Sequence, residues 1–154
     1  MTTPIITREF TIDPSQLLPA ITPDNEPFWS GLAQGRLQLQ ACGGCRRVRH
    51  PIAPVCPYCR GTAWTWRELS GTGTIFSFVR FHRSYLPEFE DLMPYVVATV
   101  QLADGPRMFG RLVGRDVAPR IGQPVRLVIE RWPDGRCVAA FELVEMNQMK
   151  GNMP

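Results

Sequence analysis

The chain opens without a sustained hydrophobic period. Residues 1–23 place Ile5, Ile6, Phe10, Ile12, Leu17, Leu18 and Ile21 among Pro4, Pro14, Pro19 and Pro23. Such a segment is too apolar for a solvated tail and too broken for a long helix. It reads as an extended arm, with at most a turn or two of helix, lying on its own domain or on a partner. The period changes in DNEPFWSGLAQG, residues 24–35, where Phe28, Trp29 and Leu32 share one helical face. Asp24 or Asn25 can cap this helix, Pro27 suits a first turn and Gly35 a stop. RLQLQA then alternates strictly, with Leu37 and Leu39 on one side, and delivers a strand straight into Cys42.

Beyond Cys59 the two-residue period dominates. WTWREL puts Trp64, Trp66 and Glu68 on one face. TIFSFVRF sets Phe76 and Phe78 against Ile75, Val79 and Phe81. HRSYLPEFEDLMP, residues 82–94, is a loop; YVVATVQLA, RMFGRLV, VRLVIERW and RCVAAFELV are strands separated by turn residues. In VRLVIERW, Val125, Leu127 and Ile129 alternate with Arg126, Val128 and Glu130. Five strands of similar length predict a small antiparallel barrel of the OB type. The expected organisation is mainly β: an N-terminal helical arm with its short helix over 1–35, a zinc ribbon over 36–66, a five-stranded OB-fold barrel over 67–145 and a flexible tail over 146–154.

Composition sharpens this in two ways. Proline at 15 of 154 residues disfavours long helices. Of the 17 basic residues 16 are arginine, a side chain that grips phosphate and carboxylate through a planar fork, although a GC-rich genome gives the same bias. The net charge of +3 is mild and does not by itself point to nucleic acid. No apolar run has the length of a leader or a membrane span, so a cytoplasmic chain is expected.

The densest chemistry lies in CGGCRRVRHPIAPVCPYC, residues 42–59. Two Cys-x-x-Cys pairs separated by ten residues can turn four thiolates toward one point, with Gly43, Gly44 and Gly61 easing the tight turns. Cys42, Cys45, Cys56 and Cys59 are the expected metal ligands. Four thiolates leave no open position, so the site reads as structural zinc, with iron as the competitor. Arg46, Arg47, Arg49 and Arg60 crowd the same segment, either as solvated balance for a negative metal centre or as a contact patch for phosphate or an acidic partner.

The ordered set of a helix with FW, GRLQLQ, CGGC and CPYC, a Gly-Thr-Gly turn, an aromatic strand ending in His82-Arg83, PYVVA, FGRLVG and IGQPVRLVIE resembles an acyl-CoA-associated family. That family joins a rubredoxin-like zinc ribbon to an OB-fold, and the resemblance covers roughly residues 24–145. It implies a non-catalytic accessory subunit of a thiolase-superfamily enzyme, or of a related aldolase or hydratase, in lipid or aromatic degradation. It also implies a hetero-oligomer and a coenzyme A thioester shared with the partner.

The chain shows no nucleophile elbow, Walker loop or dinucleotide fingerprint, and no catalytic set is assigned. Cys137, in an alternating strand, reads as a buried inert thiol. His82, Arg83, Trp64 and Phe78 complete the ligand or interface candidates. A single-stranded nucleic-acid binder is the alternative, since OB barrels and zinc ribbons both serve that role. The acidic run Glu88, Glu90 and Asp91 and the lack of a basic stripe disfavour it.

Overall fold

The computed structural model describes residues 4–10 and 18–145; Ile12, Pro14, Leu17 and the expected tail at 146–154 lie outside them. Strand β1 is Ile6–Glu9, helix α1 is Glu26–Ala33, and β2 (Leu37–Cys42), β3 (Val48–Arg49) and β4 (Trp64–Leu69) follow. The barrel strands are β5 (Thr72–Phe81), β6 (Tyr95–Leu102), β7 (Arg107–Leu112), β8 (Pro124–Arg131) and β9 (Cys137–Leu143). Within the loop between β5 and β6, Pro87–Leu92 form a 3-10 helix.

Strands β8, β5, β6, β7 and β9 pair in that order, and β9 returns to β8, closing a five-stranded barrel. Strand β5 turns the corner of this closure. Gly73 is in register with Leu102 of β6 and with Val125 of β8 at once. A Cβ there would lie 2.4 Å from the Gln101 carbonyl oxygen, so the two neighbours can approach only because the residue is glycine.

The described start of the arm, residues 4–10, lies on the chain's own barrel. Strand β5 covers one edge of β8 only at Pro124–Arg126. Strand β1 then takes over the rest of that edge in parallel, from Ile6 opposite Val128 to Glu9 opposite Arg131. The edge therefore carries no unpaired run of backbone groups. Phe10 ends β1 by stacking on Trp132 at 5.4 Å. Arg8 donates to Glu142 of β9 at 2.8 Å, and Glu142 also accepts from Arg126.

Two expectations are corrected by packing. The alternation in β5 is broken by a bulge between Ile75 and Ser77. The extra residue resets the faces: Ile75 is 1% exposed and Phe78 packs on the core, whereas Phe76 and Val79 are 46% and 54% exposed. In β8 the second face is buried too, at Val128 and Glu130. Glu130 pairs with Arg111, whose guanidinium lies 5.4 Å from the Phe10 ring. Burial pushes the Glu130 carboxyl above its usual range, and Arg111 offsets this only in part.

Helix α1 begins at Asn25, but the Asn25 side chain does not cap it. It accepts the Thr22 N–H at 2.8 Å and donates to the Ala20 carbonyl at 3.1 Å, so it fastens the incoming chain. Gly35, at φ +75°, ends the helix. Strands β3, β2 and β4 form a second sheet. Its base is not a separate body. Leu37 and Leu39 of β2 and Leu69 of β4 join Leu32, Ile75, Val100, Leu127 and Phe141 in one buried cluster. Ser70 fixes the junction by donating its N–H to Asp104 at 3.0 Å.

Candidate metal centre

Two knuckles with the same hydrogen-bond plan stand at the tip of the second sheet. In the first, the Cys42 N–H donates to the Arg47 carbonyl at 3.0 Å and the Arg46 N–H to the Cys42 carbonyl at 3.0 Å. In the second, the Cys56 N–H donates to the Gly61 carbonyl and the Arg60 N–H to the Cys56 carbonyl, both at 2.9 Å. Each knuckle turns through a left-handed residue, but not through the expected glycines. Arg46 and Arg60 hold φ of +61° each. Gly43 and Gly44 serve space instead: a Cβ would meet Ala63 at 3.2 Å from Gly43, and the Cys59 sulfur at 3.5 Å from Gly44.

The four sulfurs converge within 4.8 Å of one another. Cys42 Sγ lies 3.5 Å from Cys59 Sγ, and Cys45 Sγ 3.6 Å from Cys56 Sγ. A disulfide needs about 2.05 Å. A sulfur tetrahedron drawn at about 2.3 Å around a zinc ion has edges of about 3.8 Å. The arrangement thus fits a tetrathiolate ion and not a bridge. Backbone N–H groups aim at the sulfurs. The Cys45 N–H, followed by that of Gly44 and the neighbouring sulfurs, holds Cys42 down to about 6 against its burial. Cys56 is lowered in the same way by the N–H groups of Cys59 and Tyr58. At Cys45 the Arg47 N–H also acts downward, but burial and the three other sulfurs outweigh it and raise the thiol to about 11. A bound dication would let all four ionise together. Zinc held by these four cysteines would cross-link the two knuckles and leave no coordination position for a substrate.

The candidates around the centre part company. Arg49 is 7% exposed and turned inward, donating to Gln40 Oε1 at 2.6 Å and to the Ala53 carbonyl at 2.9 Å. Arg46 and Arg47 are exposed on one side, Arg60 on the other knuckle. Trp64 is half-buried in β4, opposite Cys42. His82 and Arg83 do not join the centre; they line a separate depression with Tyr85 and Glu90. Cys137 is buried, and burial pushes its thiol up, as an inert thiol requires.

Two clefts flank the second sheet. An apolar one of about 350 Å³ lies between α1, the ribbon and the barrel, lined by Phe28, Trp29, Trp66, His50 and Phe109. Burial lowers the His50 imidazole below its usual range. A polar one of about 630 Å³ runs between the ribbon and the β6–β7 turn. Arg46, Arg47 and Tyr58 of the knuckles, Arg67 of β4 and Arg107 of β7 meet there. Arg67, Arg107 and Tyr58 were not expected. Their only signals were the alternation of Arg67 with Trp66 and the position of Arg107 just after a turn, neither of which places them beside the ribbon.

Residues 29–65 match the family described as the rubredoxin-like zinc ribbon domain of ChsH2, and residues 66–130 match its C-terminal OB-fold domain. A solved chain, the Ltp2-ChsH2(DUF35) aldolase, is 38% identical, with a TM-score of 0.71 over 82% of this chain and 98% of that one. This chain belongs to the ChsH2 family of zinc-ribbon and OB-fold proteins. A protein of Thermomonospora curvata named "probable enoyl-CoA hydratase alpha subunit" is 43% identical over 112 residues, 71% of this chain and 34% of that one. A DUF35 domain-containing scaffold protein of Methanocaldococcus jannaschii is 34% identical over 94 residues, 58% of this chain and 64% of that one. The chain therefore spans about a third of the hydratase subunit it matches. Among the described residues no helix is long and apolar enough to cross a membrane.

Proposed function

We propose that this chain is an accessory subunit of an enzyme acting on acyl-CoA thioesters. Its partner is a thiolase-type enzyme or a related aldolase or hydratase, which carries the chemistry. The observation that carries the reading is the near-complete match to the ribbon-and-barrel chain of the Ltp2-ChsH2(DUF35) aldolase. The naming of one relative as a scaffold protein and of another as a hydratase subunit supports it.

The residues suit such a role. Zinc holds the ribbon tip stiff, the shared core fixes the ribbon base to the barrel, and the outer barrel face shows large apolar side chains. Phe76 and Val79 of β5 and Phe109 of β7, which is 72% exposed, stand on that face. Exposed aromatics of this kind are common at protein interfaces. In this reading a CoA thioester reaches the partner's site beside the chain, in a reducing compartment where four free thiolates remain available for zinc.

The test is a pull-down with the tagged chain from its native lysate and mass spectrometry of what stays bound. An acyl-CoA enzyme at stoichiometric level is the expected result. Recovery of nucleic acid, or of the chain alone, overturns the reading.

A further inference from the structure

The polar cleft between the ribbon and the barrel gathers arginines from three separate parts of the fold. Arg46 and Arg47 come from the first knuckle, Arg67 from β4 and Arg107 from the start of β7. All four are exposed. Among the described residues, none of the four makes an ion pair. The cleft's one carboxylate, Asp104, accepts the N–H and hydroxyl of Ser70 at 3.0 and 3.4 Å and pairs with none of them, so four guanidiniums share a single negative charge.

Four like charges facing one carboxylate repel one another, and the fold nevertheless holds two of these guanidiniums in place. Arg107 lies 3.4 Å from the Phe76 ring centroid and donates to Gln101 Oε1 at 3.3 Å; Arg47 lies 4.3 Å from the Tyr58 ring centroid. Stacking of this kind fixes the plane of a guanidinium and leaves N–H edges free. Balance of the metal centre does not account for the group. Arg67 and Arg107 stand on strands outside the knuckles, while Arg60, which is on a knuckle, does not line the cleft.

We propose that this cleft is a polyphosphate-binding site that takes the phosphorylated nucleotide end of a CoA thioester. The ligand class follows from the donors. Planar guanidinium forks match phosphate oxygens. Several of them in a cleft of about 630 Å³ suit a molecule with several phosphate charges and the bulk of a nucleotide. The choice of CoA among such nucleotides rests on the accessory-subunit reading; the phosphate chemistry of the cleft does not. The cleft holds the ligand by its nucleotide and leaves the thioester end to the partner.

The experiment uses the full zinc-loaded chain without a partner, titrated by calorimetry with adenosine 3′,5′-bisphosphate, CoA, inorganic pyrophosphate and a single-stranded 12-mer oligonucleotide. The expected result is saturable binding of the bisphosphate and of CoA that weakens as salt rises. Arg107→Gln and Arg67→Gln each lower that affinity about tenfold or more, as expected for a lost charge-assisted hydrogen bond. Arg115→Gln, which removes the same charge outside the cleft, leaves it unchanged. Circular dichroism and zinc content of each variant show that it is folded.

Three results overturn the proposal. One is no binding of any small phosphate. Another is binding that Arg115→Gln weakens as much as the cleft variants do. The third is binding of the oligonucleotide alone. If no small phosphate binds but Arg107→Gln and Arg67→Gln abolish capture of an acyl-CoA enzyme, the cleft is a protein contact: this proposal fails while the accessory-subunit reading stands.

Discussion

Replacing Cys59 by serine removes one of the four converging sulfurs while altering a position that is already exposed. The consequence follows from where apolar burial lies. Between residues 43 and 63 only Arg49 and Cys56 are buried. The buried leucines of the second sheet are at its base, in Leu37, Leu39 and Leu69, and they belong to the barrel's cluster. The knuckles have almost no hydrophobic reason to stay folded, and the base has no need of metal. Structural zinc in small domains binds with about 10–16 kcal/mol at neutral pH. Removing one ligand of four forfeits roughly a quarter of that, about 2.5–4 kcal/mol on the same scale. At about 1.4 kcal/mol per factor of ten this becomes about a 10²–10³-fold larger population of opened knuckles.

Amide hydrogen exchange reads the two regions separately. The N–H groups of Cys42, Arg46, Cys56 and Arg60, bonded within the knuckles at 2.9–3.0 Å, should exchange faster by about that factor. The Leu127 N–H, bonded to the Gly71 carbonyl at 2.7 Å inside the barrel, should keep its protection. Equal acceleration in barrel and knuckles would show one cooperative unit and refute the reasoning. Unchanged knuckle protection would refute the metal's role.

Further consequences can be checked on single variants. Gly73→Ala forces a Cβ to within 2.4 Å of the Gln101 carbonyl oxygen and should cost about 3 kcal/mol, read as a lower urea midpoint with no change in zinc content. Arg60→Gly removes a left-handed strain at φ +61° and should raise stability by about 1 kcal/mol, read in the same titration. Burial lowers the folded-state pKa of His50, so the unfolded chain takes up its proton first as pH falls. The stability this neutral side chain contributes is present above the unfolded value of about 6.5 and is lost below it. His50→Phe should flatten the urea midpoint between about pH 7 and pH 5 relative to the unaltered chain; an unchanged slope would remove His50 as the cause.

Much of this architecture was legible in local patterns. The two-residue period of YVVATVQL became β6 with every second residue buried, because both flanking strands leave its inner face against the core. The cysteine spacing foretold the convergence of four sulfurs, since each Cys-x-x-Cys closes its own turn. Long-range geometry was not legible. The bulge at Phe76 follows from barrel closure rather than from the residues beside it, and it moved Phe78 from ligand candidate to core. The arm's pairing with β8 depends on β5 leaving an edge open beyond Arg126. The inward turn of Arg49 needs Gln40 across β2 and β3, and the meeting of Arg67 with Arg107 needs the ribbon docked on the β6–β7 turn. Left-handed arginines in the knuckles had no sequence signal, because glycines stood nearby and arginine rarely takes that conformation.

The accessory role is tested most directly by mixing the purified chain with the acyl-CoA enzyme it captures and measuring the native mass of the product together with enzyme activity. The account predicts a complex of defined ratio that survives gel filtration and turns over thioester faster, or for longer, than the enzyme alone. Two separate species, with the enzyme fully active and stable by itself, would contradict it.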